Sequence, residues 1–87
     1  MSQDSLLTFP CSFPIKAMGR ADAEVAAVVT AILQRHVTDF SAQNLRSRPS
    51  RGGQWVAVTA VIEAQNQTQL DAIYHELSAD ERIVYAL

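Results

Sequence analysis

The chain has one cysteine, three glycines, three prolines and one tryptophan among its 87 residues. A single thiol cannot make an internal disulfide, which excludes a cross-linked scaffold and points to a reducing cytoplasm. There is no internal repeat, low-complexity tract or linker. Charge is sparse as well: seven basic and nine acidic side chains leave a formal net charge of −2. That balance lacks the large positive field that general nucleic-acid binding requires. No apolar run approaches the ~18 residues of a membrane span. The first nine residues carry no positive charge and no long apolar stretch, so no secretory leader is expected. The familiar catalytic patterns are missing too: no Gly-x-Ser-x-Gly, His-Glu-x-x-His, phosphate-cradling glycine loop or Cys-x-x-Cys occurs. The expectation is a non-enzymatic domain with no catalytic residue, metal or cofactor.

What is present is apolar and periodic. Hydrophobic residues make up 48% of the chain, enough for a globular domain. A chain of this size hides only about 60–65% of its surface on folding, so stability is modest and a partner subunit would help. Residues 1–8 read as a flexible lead-in and residues 9–87 as one domain. Pro14 to Gly19 reads as a first strand, with Pro14 at its start because proline is excluded from the middle of a central strand. Ile15 and Ala17 point to one side, Lys16 and Met18 to the other. Asp22 is placed to cap a helix from Ala23 to Val37. Val25, Val28, Val29, Ile32 and His36 form its buried stripe, and Phe40 packs back beneath its end.

Gln43 to Ser50 reads as a polar second strand at a sheet edge, with Pro49 suited to that position. Ser50-Arg51-Gly52-Gly53 is a hairpin turn. Gln54 to Glu63 is the most apolar segment and reads as a central strand. A capping pair, either Asn66 with Gln69 or Thr68 with Asp71, opens a second helix marked by Leu70, Ile73, Tyr74 and Leu77. Glu81 to Leu87 closes the chain as a fourth strand. The order strand, helix, strand, strand, helix, strand specifies an α+β ferredoxin-like βαββαβ plan. Its sheet is antiparallel in the order 4-1-3-2, with both helices on one face. The other face would stay bare and carry Lys16, Met18, Arg46, Arg48, Trp55, Thr59 and Val61.

Phe9-Pro10-Cys11-Ser12-Phe13-Pro14-Ile15-Lys16-Ala17-Met18-Gly19, Leu45-Arg46-Ser47-Arg48-Pro49-Ser50-Arg51-Gly52-Gly53 and Gln69-Leu70-Asp71-Ala72-Ile73-Tyr74-His75-Glu76-Leu77 together resemble the YbeD-like family of small bacterial proteins. The resemblance covers Phe9 to Leu87. It implies an ACT-like version of the ferredoxin-like fold, similar to small-molecule-sensing regulatory domains. Such proteins are often encoded beside lipoate-biosynthesis enzymes, which implies a link to lipoate metabolism. ACT-type domains commonly hold an effector at the turn after the first strand, at a subunit interface. Carried onto this chain, that implies a ligand pocket lined by Lys16, Gly19 and Arg20.

Arg46, Arg48 and Arg51 are the most distinctive charges, with Trp55 on the paired strand. Arginine forks suit carboxylates or phosphates, and tryptophan offers a stacking surface. One reading is a regulatory or adaptor surface for a protein partner, for a second copy in a homo-oligomer, or for a small anionic ligand. A second is a single-stranded nucleic-acid-binding module, weakened by the acidic net charge and by the lack of an aromatic pair on the central strands. A third is a charged edge that merely prevents aggregation. Cys11 reads as a small buried hydrophobe, reactive only if Lys16 or Arg20 came close. His36 reads as a helix-dipole partner and His75 as exposed; neither has metal-ligand spacing.

Overall fold

A computed structural model describes residues 7–87. The first six residues of the expected lead-in lie outside that range. Strand β1 (Cys11–Arg20) is followed by helix α1 (Val25–His36), strands β2 (Leu45–Pro49) and β3 (Trp55–Ala64), helix α2 (Gln67–Ala79) and strand β4 (Tyr85–Ala86). The strands form one antiparallel sheet in the order β2-β3-β1-β4. This is the ferredoxin-like arrangement expected of the sequence.

Alternation along the strands decides which side is covered. Ile15, Ala17 and Gly19 of β1 are buried, while Ser12, Pro14, Lys16, Met18 and Arg20 between them are exposed. On β3, Val58, Ala60, Ile62 and Ala64 are buried. Against them pack Val25, Val28, Val29, Ile32 and Leu33 of α1 and Leu70, Ile73 and Leu77 of α2. Phe40 closes the core beyond α1, as expected. Leu33 takes the deeply buried place that the sequence reading gave to His36, which is only half-buried.

Pro14 is a correction. It stands fourth in a ten-residue strand with two neighbours, not at the strand's start. Lys16 exchanges backbone hydrogen bonds with Leu87, and Met18 accepts one from Val84, so the even residues of β1 turn their backbone toward β4. Among the described residues the β4 side of the sheet ends opposite Lys16, and the missing N–H of Pro14 leaves no ladder hydrogen bond unmade there.

Of the other boundaries, the start of α1 and the extent of β4 differ from expectation, and the start of α2 holds. Asp22 does not cap α1: the chain first makes a short 3₁₀ turn over Ala21–Ala23, then Glu24 takes a left-handed conformation (φ 56°) at the N-cap with no side-chain cap bond. Asp22 instead lies 3.5 Å from Arg20 Nε. At α2 the first capping alternative holds. Asn66 Oδ1 accepts from the Gln69 N–H at 2.8 Å, while Gln69 Oε1 accepts from the Gln65 N–H at 2.7 Å. Strand β4 is only two residues long. The Asp80 carboxylate accepts from the Arg82 backbone N–H and the Asp80 carbonyl from the Ile83 N–H, folding residues 80–83 into a turn where a strand was expected.

Candidate functional site

The uncovered face of the sheet is assembled by register. In one row β1 Lys16, β3 Thr59 and β2 Arg46 stand side by side; in the next stand β4 Tyr85, Met18, Ala57 and Arg48. Arg20 is opposite Trp55, and its guanidinium carbon lies 5.9 Å from the centre of the indole ring, within cation–π range. Toward the other end Pro14 faces Val61, and Ser12 faces Glu63. Trp55 thus sits with the exposed residues of β1 and not among the helices. Its neighbourhood is set by the hairpin, where the Gly53 N–H donates to the Ser50 carbonyl and the Trp55 N–H to Ser50 Oγ. Gly53 has φ +75°, a conformation suited to glycine.

Two shallow grooves share this face. One, about 420 Å³, is lined by Met18, Arg48, Pro49, Arg51 and Trp55 among others. The second, about 820 Å³, is lined by Lys16, Arg46, Ser47, Arg48, Ala57 and Thr59. All four residues of the candidate partner-binding set, Arg46, Arg48, Arg51 and Trp55, therefore border one continuous surface. Lys16, Arg46, Arg48 and Arg51 have no ion-pair partner among the described residues. Arg20 alone is paired, with Asp22.

The candidate ligand pocket of Lys16, Gly19 and Arg20 is not assembled. Lys16 and Arg20 project from the open face, whereas Gly19 is buried on the helix side. A Cβ at Gly19 would lie 2.3 Å from the Arg82 carbonyl oxygen and 2.7 Å from Val25 Cγ2. The glycine lets the β4 approach and α1 pack against β1, and the space beside it is filled by the Arg82 carbonyl and Val25. The hollow nearest this turn, about 600 Å³ and lined by Arg20, Ala23, Asp80, Glu81 and Arg82 among others, contains the paired charges Asp80 and Arg82.

The cysteine and the two histidines lie apart from the open face. Cys11 is half-buried against the core, on the side of β1 opposite to Lys16 and Arg20. His36 Nε2 and Arg35 both bond the Glu76 carboxylate, joining α1 to α2. The Arg35 hydrogen bond, and then that of His36, hold the Glu76 carboxyl below its ordinary range. His75 is exposed. Among the described residues no group of three or more His, Cys, Asp or Glu could hold a metal ion, and no helix is long and apolar enough to cross a membrane.

Sequence reasoning assigned Arg20 to a pocket and omitted Tyr85 and Leu87 from the bare face. Both are exposed there, Leu87 because its backbone pairs with Lys16. The missed signal was the β1–β4 register, which alternation within one strand cannot supply.

Residues 4–87 match the family described as "Protein of unknown function (DUF493)". A UPF0250 protein of Nitrosomonas europaea is 38% identical over 77 residues, covering 88% of each chain. A UPF0250 protein of Neisseria gonorrhoeae is 35% identical over 86 residues, covering 99% of this chain and 94% of its own. One of Paraburkholderia phytofirmans is 33% identical over 84 residues, covering 97% and 94%. With a match along nearly its whole length and relatives above 30% identity, the chain belongs to the DUF493/UPF0250 family of small bacterial proteins.

Proposed function

We propose that the chain is a non-catalytic adaptor or regulatory domain of the cytoplasm that docks an anionic protein surface on its open sheet face. The observation that carries this reading is the pairing of unneutralised cations with exposed apolar groups. Lys16, Arg46 and Arg48 lack acidic partners among the described residues, and Met18, Val61, Tyr85 and Leu87 are exposed beside them. A plain solvated face has no need of those apolar groups in one place. Arginine and an aromatic at the centre of a patch are the side chains that concentrate binding energy at interfaces. The lipoate-pathway link implied by the sequence resemblance would make an enzyme of that pathway one candidate partner. A small anionic ligand in the Lys16–Arg46–Arg48 groove is a lesser form of the same chemistry.

Arg46→Glu/Arg48→Glu tests the reading. Capture of a defined partner from native extract should be abolished while the melting temperature stays nearly unchanged. Undiminished capture would refute the role of these arginines. The stack of Arg20 on Trp55 favours one second reading, binding of single-stranded nucleic acid. That reading requires salt-sensitive binding of short single strands, and a low-salt fluorescence titration without binding removes it.

A further inference from the structure

We infer that the occupant of the open face is an acidic amphipathic helix supplied by a different protein. This rests on the docking reading above and names the partner's chemistry. The face is a trough. Its floor is β3, which presents the small residues Ala57 and Thr59; its rails are Lys16 and Met18 on β1 and Arg46 and Arg48 on β2. The rails are two strand spacings apart, about 9.6 Å, close to the ~10 Å width of an α-helix. Trp55 and the Arg20 stacked on it stand at one end, and Glu63 at the other. That span is about 27 Å, the length of a helix of about 18 residues.

The backbone argument excludes an extended segment. A sheet face offers side chains only, so a strand laid on it would leave its own N–H and C=O groups unmet. Strands dock at edges. Here β2 guards one edge with Pro49 and two arginines, and the half of β1 without a β4 neighbour among the described residues carries Pro14, which has no N–H to give. A helix arrives with its backbone already satisfied. Its apolar stripe meets Met18 and Val61, and flanking carboxylates meet Lys16, Arg46 and Arg48.

A second copy fits poorly. Face to face it would set these cations against themselves. Its own helices offer no acidic row: exposed positions of α1 are Ala27, Ala31, Gln34 and Arg35, those of α2 are Thr68, Asp71, His75, Ser78 and Ala79 with a single carboxylate among them, and Glu76 is held by Arg35 and His36. Single-stranded nucleic acid fits poorly too, because the two aromatic side chains on this side among the described residues, Trp55 on β3 and Tyr85 on β4, are separated by β1, and the floor beside Trp55 is Ala57 and Thr59.

The test uses the whole chain and a fluorescein-labelled synthetic helix of about 18 residues, built from alanine, a leucine stripe and flanking glutamates. Anisotropy should show binding at low salt. Arg46→Glu/Arg48→Glu should weaken it at least about tenfold, as should replacing the peptide's glutamates with glutamine. Ala57→Trp, which keeps every charge and fills the floor, should abolish binding, and a proline in mid-peptide should do the same. No binding, equal binding of the glutamine or proline peptides, or displacement by oligothymidylate would overturn the inference. So would a dimer, seen by light scattering, that the arginine reversal dissolves. If the reversal abolishes capture of a cellular partner while the peptide fails to bind, docking stands and the helix falls. If neither responds to the reversal, both fall.

Discussion

The two faces of this sheet are built from alternate residues of the same strands, yet they solve opposite problems. On the helix side Ile15, Val58, Ala60 and Ile62 meet α1 and α2 and exclude water. Two of the carboxylates at the rim of that layer are neutralised: Glu76 is held by Arg35 and His36, and Asp80 by Arg82. On the open side, one residue away along each strand, Lys16, Arg46 and Arg48 have no such partners among the described residues. A chain of net charge −2 has thus gathered five of its seven basic side chains (Lys16, Arg20, Arg46, Arg48 and Arg51) onto one surface. Net charge is a poor guide to a binding surface when secondary structure sorts the charges by parity. On the docking reading proposed above, stability resides on one side and recognition on the other, so the two should respond separately to substitution.

The sharpest break is expected on the covered side. Leu77 is fully buried between α2 and the sheet. Leu77→Ala should cost about 2–5 kcal/mol, through lost transfer energy and a residual cavity. That is a large part of the stability of so small a domain, and it would appear as a lower denaturant midpoint. An open-side counterpart, Val61→Thr, should stay within about 0.5 kcal/mol. Comparable losses at both sites would mean that the open face is packed in solution.

Next in size is the pair of glycines. Gly19→Ala drives a methyl group into the Arg82 carbonyl and Val25, and should destabilise by about 1–3 kcal/mol because one contact is backbone and cannot turn aside. Gly52→Ala meets nothing within 4 Å and should change little. Equal melting temperatures for the two variants would show that α1 and the β4 approach can yield at Gly19.

Most of this division is legible in the sequence because period-two alternation reports which side a residue faces without knowledge of its neighbours. Ile15, Lys16, Ala17 and Met18 sort correctly on that basis alone, and so do Trp55 to Ile62. The rest depends on long-range register. Alternation places Gly19 with Ile15 and Ala17, but only the approach of Arg82 and Val25 shows that its missing side chain serves packing. Asp22 had the chemistry of an N-cap, yet the turn through Glu24 moved the helix start beyond its reach. Pro14 looked confined to a strand end because the local rule counts two neighbours. Among the described residues, only β3 pairs with β1 at that position.

A smaller effect separates the charges of the two faces by pH. Glu76 has its carboxyl lowered below the ordinary value of 4.5 by the Arg35 and then the His36 hydrogen bond. A carboxyl with a depressed folded pKa stabilises fully above its unfolded value and loses that contribution as pH falls through the folded value. Wild type should therefore exceed Glu76→Gln in stability at neutral pH, and the gap should close on acidification below about pH 4.5. Midpoints measured at several pH values give the answer. A gap that persists at pH 2 would mean that the carboxylate's charge is not what matters, since roughly all such groups are protonated there.

The smallest expected effect is the most informative about the open side. Arg46 and Arg48 are exposed and lie on an edge strand. Reversing both to glutamate breaks no ion pair among the described residues and should shift stability by no more than about 0.5 kcal/mol. A slight gain is expected, because the reversal relieves repulsion with Lys16, which shares a row with Arg46. A loss comparable to that of Leu77→Ala would instead mean that the arginines hold the sheet together, and the face would then be a structural surface. Stability that stays level while the acidic peptide is released is the result that keeps the two faces functionally distinct.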